Sequence, residues 1–435
     1  MKNGLLSEKK ILISILFIAF FMRCFLLMVF MYTKNYTIKD SGLIEDDAYV
    51  YYNSAINLSK GKGYTISFTD QEQQQGQISD AFRPSSIPDT YYNNFYPPLY
   101  SSFLGILFYF FGTSILVYTI PQIILGTVSC YLTYIIAKET FSSKIGLIAC
   151  FLLAIYQPIA WWVSHVRTEN LFIPLQLVTI IFFIKAIKNN LDVKNIILSG
   201  LFLAISFLCR NTILYLPIFI IIYFFIIFFR ASKKRLICCI TIFLLSFYIP
   251  LLPWGYRNYN THDKFCITTT EKWDAFYNCN NVPEADAPFF ELYRIKYDPT
   301  TNIPMSASEK EKACMDFVKK HPLKYLKLCV KRFFAYWGPI TQKPSFIRKG
   351  IDACVYIFVF PMAFFGFYKS KWWVFDKRTG FNSIPALLMT VILYYTILHA
   401  AVALDDNLIY RYPIIPFICI FSAYGYYTYF KPSKS

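Results

Sequence analysis

The sequence lacks the short motifs that indicate a nucleotide-driven enzyme. It contains no GxxxxGK[ST] phosphate loop, no GxGxxG turn and no Ser/His/Asp pattern. Its 12 cysteines form no CxxC pair, and with the 4 histidines they form no set at metal-ligand spacing. We therefore expect chemistry that needs no bound nucleotide, and we find no sequence evidence for a structural metal.

Apolar residues dominate the chain and occur in long blocks. The 435 residues are 56% hydrophobic, and the mean hydropathy is +0.40. One soluble core cannot hide so much apolar surface, whereas blocks of about twenty residues match the hydrocarbon thickness of a bilayer. The blocks are approximately 11–32, 98–112, 115–137, 144–164, 169–188, 195–209, 212–230, 236–255, 351–369, 382–400 and 409–430.

The net charge of +17 reflects membrane topology rather than binding to nucleic acid. The lysines and arginines lie in short segments between apolar blocks, where they favour the cytoplasm, and form no basic stripe on a soluble domain. These segments are the N-terminus, Lys138 with Lys144, Lys185 with Lys188 and Lys194, Arg230 to Arg235, Lys369 to Arg378, and the tail with Lys431 and Lys434.

All six basic segments share one side only if an even number of crossings separates each from the next. Block 98–112 breaks this parity, and its roughly fifteen residues extend only about 22 Å as a helix. We interpret it as an interfacial or re-entrant helix that follows Tyr96-Pro97-Pro98. The sequence therefore predicts an all-α polytopic membrane protein with about ten transmembrane helices, or eleven if 98–112 crosses.

This topology divides the chain into three predicted parts. An N-terminal transmembrane module spans 1–255, with an uncleaved first span and a first outer loop at 33–114. Residues 256–350 form an outer helical subdomain, in which Glu309–Lys320 and Tyr325–Trp337 have helical periodicity. Residues 351–435 form the C-terminal transmembrane helices, and both termini are cytoplasmic.

The strongest candidate for chemistry is the acidic run Glu45-Asp46-Asp47 in the first outer loop. The residues after it predict a short amphipathic helix that ends at Gly61. Carboxylates here could act as a general base or bind a metal. They could equally be a solvated helix N-terminus that the helix dipole stabilises.

Further charged residues map to the same outer face. Glu169 begins a span, Arg210 lies in an outer turn, and Arg257 and Arg411 lie where spans emerge. Each has a simpler interpretation as a helix cap or as an arginine that extends to the interface. Arginines beside acids at a membrane surface also suit a lipid phosphate that carries a reactive group.

In order and placement, the motifs resemble the GT-C superfamily of membrane glycosyltransferases, in its family 39-like branch of protein O-mannosyltransferases and lipid A aminoarabinose transferases. The resemblance covers nearly the whole chain. Its motifs are Asp46, Asp47, Tyr52, Ala55, Gly61, Gly63 and Tyr64, then Tyr96-Pro97-Pro98-Leu99-Tyr100, Thr168-Glu169, Gly200-Leu201 to Arg210, Pro253-Trp254 with Arg257-Asn258, and Arg411-Tyr412-Pro413.

The resemblance implies a glycosyltransferase whose donor is a sugar on a polyprenyl phosphate, undecaprenyl or dolichyl in type, and whose acceptor is a lipid, a glycan or a protein. It implies that Asp46 is the general base, with Asp47 as the alternative, and that Glu169 lines the acceptor or metal site. Arg210 and Arg257, and more weakly Arg411, are the implied phosphate contacts, and Glu45 and Tyr96 complete the implied substrate site. Some relatives bind a divalent metal, so such a cofactor is possible here.

The resemblance also implies a multi-pass protein of the inner cell membrane, with its active site on the periplasmic or extracytoplasmic side. Two alternatives stay open from the residues alone. A polysaccharide polymerase or ligase of another membrane family would depend on Arg257 and Arg294 rather than on the acidic run. A transporter would place charges at mid-membrane on broken helices.

Overall fold

The structure is a computed structural model of the full chain. It describes residues 2–33, 47–67, 90–228, 232–269, 274–280, 286, 307–338, 346–373, 375–376, 380–381, 383–402 and 408–431. Glu45, Asp46 and Arg294 lie outside these described residues.

Helices make up nearly all of the described chain. In chain order they are α1 (Lys2–Thr33), α2 (Asp47–Ser59), α3 (Leu99–Phe111), α4 (Ile115–Thr140), α5 (Ser143–Ala154), α6 (Gln157–Trp161), α7 (Glu169–Lys188), α8 (Val193–Cys209), α9 (Leu216–Ile227), α10 (Lys233–Tyr248), α11 (Leu252–His262), α12 (Asp274–Cys279), α13 (Ala307–Lys320), α14 (Pro322–Trp337), α15 (Phe346–Ser370), α16 (Ser383–Ala401) and α17 (Ile415–Tyr429). In the described ranges, four 3-10 turns join or extend these helices, at Trp162–Ser164, Asn211–Ile213, Ile249–Leu251 and Leu408–Ile414.

Two short antiparallel hairpins complete the described secondary structure. Strand β1 (Thr65–Ser67) pairs with β2 (Thr90–Tyr92), with Thr65 opposite Tyr92. Strand β3 (Phe375–Asp376) pairs with β4 (Gly380–Phe381). The first hairpin lies in the predicted first outer loop and packs on α2.

The predicted all-α polytopic class is confirmed, but the predicted number of crossings is not. Six helices of the described chain are long and apolar enough to cross a membrane, or seven if the pair Ser143–Ala154 and Gln157–Ser164, bent by 51°, is one span. The shorter apolar helices are Leu99–Phe111, Val193–Cys209 and Asn211–Ile227. A helix of 17 residues such as α8 is about 26 Å long, below the hydrocarbon thickness of about 30 Å, so the count of ten stays a prediction.

A contact between α1 and α4 bears directly on block 98–112. Lys138, in the last turn of α4, lies 3.2 Å from Glu8 in α1, so these two helix ends share one side of the bundle. An even number of crossings therefore separates them, and α1 and α4 already supply two. Helix α3 is 13 residues long, about 20 Å, and packs along α2. The geometry thus supports an α3 that does not cross.

The helices predicted after Asp47 and within 256–350 are present in the structure. Helices α13 and α14 contain the two periodic segments predicted in the second outer loop. In the first outer loop, α2 ends shortly before Gly61, whose positive φ of 73° suits glycine better than other residues. This helix end reverses the chain into β1.

The buried core runs through the middle of the helix bundle. Helix α7 lies at its centre, where it packs between α4 and α8 and also contacts α16. Helices α15 and α17 approach most closely at Gly366 and Gly425, where a Cβ on either glycine would overlap a main-chain carbonyl of the other helix. Close approach of this kind is typical of helices that pack within membranes.

Candidate active site at one end of the bundle

Asparagine side chains on one face of α2 hold together the described parts of the predicted first outer loop. Asn53 Oδ1 accepts a hydrogen bond of 2.8 Å from the Ser67 main-chain N–H, and Asn57 donates to the Thr65 carbonyl over 3.1 Å. Because these bonds replace the edge partners that β1 lacks, the small hairpin is fixed to α2. The loop therefore presents the start of α2 in one orientation.

Asp47 lies in the first turn of α2, where the helix dipole favours a negative charge. The Tyr96 phenol donates a hydrogen bond of 2.5 Å to Asp47 Oδ1. Burial, and next the charge of Asp47, raise the pKa of Tyr96 well above its usual value, so the phenol keeps the proton that it donates. Tyr96 thus orients one oxygen of Asp47, and the second oxygen has no hydrogen-bond partner among the described residues.

Glu169 and Arg210 form a buried ion pair next to this loop. Their side chains are only 5% and 17% exposed, and Arg210 Nη1 bonds Glu169 Oε1 and also Thr168 Oγ1, over 3.2 Å. Burial alone would lower the pKa of Arg210, but the nearby Glu169 carboxylate reverses this and raises it. Glu169 begins α7 and Arg210 ends α8, so the pair also ties two helix ends together.

Tyrosines connect the two acidic positions. The Tyr51 ring lies 4.5 Å from that of Tyr96, and the Tyr51 phenol is within electrostatic range of Asp47, Arg210 and Glu169. The Arg210 guanidinium lies 5.8 Å from the centre of the Tyr410 ring. The structure therefore brings together four of the residues singled out in the sequence, namely Asp47, Tyr96, Glu169 and Arg210.

Arg257 lies beside this group but is committed to the hairpin. Its Nη1 donates to the Asn93 carbonyl over 2.9 Å, and its Nη2 donates to the Tyr64 carbonyl over 3.0 Å. The guanidinium also lies 5.0 Å from the Trp254 ring. Arg257 therefore anchors the first outer loop to α11, and its predicted phosphate contact would require some of these bonds to exchange.

Arg411 is buried on another side of the 3-10 turn Leu408–Ile414. Its Nη1 donates to the carbonyls of Tyr336 and Gly338 over 3.0 and 2.8 Å, and its guanidinium lies 4.6 Å from the Phe360 ring. Only 2% of Arg411 is exposed. The structure thus places it at the end of α14 rather than beside Asp47, because the unsatisfied carbonyls there attract a cation.

The structure adds one buried charged residue that the sequence patterns did not select as a site residue. Arg23, in the apolar middle of α1, is fully buried and its Nε has no hydrogen-bond partner. It lines a cavity of about 20 Å³ together with Ser129, Glu169 and Asn170, which has room for about one water molecule. A lone arginine inside an apolar block is visible in the sequence, but the sequence does not show that Glu169 lines the same space.

A metal site finds no support in the described part of the chain. No group of three or more His, Cys, Asp or Glu side chains there is arranged to hold a metal ion. Glu45 and Asp46 are not among the described residues, so divalent-metal dependence stays a prediction.

Comparisons with known proteins identify a matching sequence family and similar folds. Residues 96–254 match the sequence model of the family described as dolichyl-phosphate-mannose-protein mannosyltransferase. The archaeal oligosaccharyltransferase AglB from Archaeoglobus fulgidus, in complex with an inhibitory peptide and a dolichol-phosphate, has a similar structure, with a TM-score of 0.57 and 15% identity over 96% of this chain and 50% of that chain. ArnT from Cupriavidus metallidurans, bound to undecaprenyl phosphate, gives a TM-score of 0.52 and 9% identity over 98% and 60%.

The chain has the fold of the GT-C superfamily of membrane glycosyltransferases. The resemblance inferred from the motifs is therefore confirmed at the level of the superfamily fold. The chain spans about half the length of AglB. No curated protein sequence matches it.

Proposed function

We propose that this GT-C protein is a glycosyltransferase that moves a sugar from a polyprenyl phosphate of undecaprenyl or dolichyl type to an acceptor on the extracytoplasmic face. The observation that carries the proposal is the gathering of Asp47, Tyr96, Glu169 and Arg210 at one end of a bundle with this fold. Support for the donor class comes from the names of the similar structures, which contain dolichol-phosphate and undecaprenyl phosphate.

The proposed reaction needs a base and a stabilised leaving group. An acceptor hydroxyl or amide loses its proton to a carboxylate and attacks the anomeric carbon, while the bond from that carbon to the phosphate oxygen breaks. The transferred sugar is a hexose or a pentose, and the polyprenyl phosphate leaves with its tail still in the bilayer. Guanidinium groups stabilise the negative charge that develops on the phosphate.

We assign the general base to the acidic run of the first outer loop, with Asp46 as the first choice and Asp47 as the alternative. Asp47 is supported by its place in the first turn of α2 and by the hydrogen bond from Tyr96. Glu169 is proposed to line the acceptor side. In this role its carboxylate, held by Arg210, would accept hydrogen bonds from the N–H or O–H donors of the acceptor.

The proposed side of the membrane rests on charge distribution. The basic residues Lys138, Lys188 and Arg235 lie at the end of the bundle opposite Asp47, and basic loops favour the cytoplasm. The site would then face away from the cytoplasm, where no nucleotide-activated donor is needed. An inner cell membrane with the active site on the periplasmic side fits this orientation.

The test is complementation of a deletion strain with Asp46→Asn, Asp47→Asn and the double variant. Mass spectrometry of envelope glycans, glycolipids and glycoproteins would identify the product, with polyprenyl-linked sugar measured alongside. We expect product loss and donor accumulation in the double variant, and in the single variant that removes the base. Asp192→Asn, a helix cap at the opposite end of the bundle, is the control for general destabilisation. Normal product levels in the double variant would reject the proposal.

A further inference from the structure

We infer that Arg167 binds the phosphate of the lipid-linked donor. This inference rests on the proposed function and replaces the earlier expectation that Arg210, Arg257 and Arg411 share that role. The ligand class is a phosphate ester carried on a long isoprenoid chain.

Three arginines at this end already have strong partners. Arg210 is paired with the Glu169 carboxylate, which neutralises its charge. Arg257 donates to the carbonyls of Asn93 and Tyr64, and Arg411 donates to carbonyls at the end of α14. A phosphate that recruited any of them would have to displace bonds that hold loops or helix ends in place.

Arg167 differs from these three. Among the described residues it pairs with no carboxylate, and its buried Nε has no hydrogen-bond partner. Its contact there is with the Trp162 ring, at 5.0 Å from the ring centre. An aromatic face attracts a cation but does not neutralise its charge. A half-buried guanidinium without a counter-charge is costly unless an anion completes the site.

The segment that carries Arg167 is rigidly positioned. Gln122 donates to the carbonyls of Val163 and His165 over 2.8 and 3.1 Å, and Asn170 donates to the Trp162 carbonyl over 3.2 Å. The Trp162 indole N–H in turn donates to the Tyr412 hydroxyl over 2.8 Å. These bonds fix the main chain just before Arg167 and the ring that its guanidinium contacts, so its remaining N–H donors are preorganised for an anion.

Arg167 also has a suitable position relative to the proposed chemistry. It lies two residues before Glu169, at the end of α7 that faces Asp47. The 3-10 turn Leu408–Ile414 connects the two arginines. Its Tyr412 bonds Trp162, the ring that Arg167 contacts, and its Tyr410 ring contacts Arg210. A phosphate on Arg167 would therefore sit at the bundle end that holds both acidic positions. A planar guanidinium binds phosphate in a forked geometry that lysine does not reproduce.

The test is binding of undecaprenyl phosphate to the purified full-length protein in detergent or nanodiscs, measured by native mass spectrometry or thermophoresis. We expect Arg167→Met to weaken binding at least about tenfold and Arg167→Lys to weaken it less. Arg235→Met, at the opposite end of the bundle, should bind as the wild type does. Thermal unfolding midpoints of all variants show whether the fold is intact.

The outcomes separate the inference from the function it rests on. If the wild type fails to bind undecaprenyl and dolichyl phosphates, the proposed function fails. If the wild type binds and both Arg167 variants bind equally well, the assignment of Arg167 is overturned. Competition with inorganic phosphate tests whether the site binds a free anion instead. If only millimolar concentrations of phosphate displace the lipid, the result supports the lipid assignment. Phosphate binding as tight as that of the lipid would overturn the lipid source.

Discussion

The two ends of the helix bundle both carry ion pairs, but their environments differ. At the site end, Glu169 and Arg210 are 5% and 17% exposed and lie among tyrosines. At the opposite end, Glu139 and Lys188 are each 43% exposed, although their charged atoms are only 2.6 Å apart. The separation of the charged atoms is thus a poor guide to how much an ion pair affects stability, because solvent screens the second pair and not the first.

The two ends also differ in how their tyrosine-bonded carboxylates are balanced. Tyr134 at the basic end bonds Glu8, which also pairs with Lys138. Tyr96 at the site end bonds Asp47, which pairs with no cation among the described residues. We take the buried end to be the one where single substitutions alter both stability and chemistry.

The largest expected effect is the loss of one partner of the buried pair. Glu169→Leu or Arg210→Met leaves an uncompensated buried charge, which should lower the free energy of unfolding by about 3 kcal/mol or more. Thermal unfolding in detergent, followed by size-exclusion chromatography, measures the loss. The matched control is the double variant, in which no charge remains and which should be more stable than either single variant. Additive losses in the double variant would contradict a coupled pair.

A smaller effect is expected for Tyr96→Phe, which removes the donor to Asp47 and little else. The loss should be about 1.5 to 3 kcal/mol, the usual range for a hydrogen bond to a charged group. Burial and Asp47 raise the pKa of Tyr96. The contribution is therefore complete below the unfolded-state value of about 10 and is lost only as pH rises through the higher folded-state value.

The measurement for Tyr96→Phe is the difference in unfolding midpoint from the wild type between pH 6 and pH 9. We expect this difference to stay constant across the range. A difference that shrinks before pH 9 would show that the phenol loses its proton early and that the buried setting is wrong. Tyr131→Phe, on a partly exposed face of α4, is a control that should show little difference at any pH.

The smallest effect is expected at the opposite end. Lys188→Met removes the exposed pair with Glu139 and should change the free energy of unfolding by less than about 1 kcal/mol. The difference should shrink further in high salt, since mobile ions screen exposed charges. A loss as large as that of Arg210→Met would show that the two ends do not differ as described.

Much of the fold was predictable from the chain. Apolar blocks set the helices, and the charges between them predicted that Leu99–Phe111 does not cross, which the Glu8 and Lys138 contact supports. The number of membrane crossings was harder to predict from the sequence. Pattern counting treats α8 and α9 as full spans, whereas the lengths of the folded helices depend on where 3-10 turns and prolines interrupt them.

The candidate site was predictable in its acids and less so in its arginines. Asp47, Glu169 and Arg210 were selected because they map to one face, and the structure brings them together. Asp46 and Glu45 lie outside the described residues, so their roles stay predictions. Arg167 was passed over because nothing in its local sequence distinguishes it from other boundary arginines.

The sequence by itself determined the membrane class and the helical blocks, since these follow from local hydropathy. The tertiary structure alone decided which charges are already satisfied. Arg257 is occupied by a carbonyl 164 positions away, and Arg411 by one 75 positions away. Hydrogen-bond partners at such separations exist only after the chain has folded, so no local pattern distinguishes a committed arginine from one that is available to a ligand.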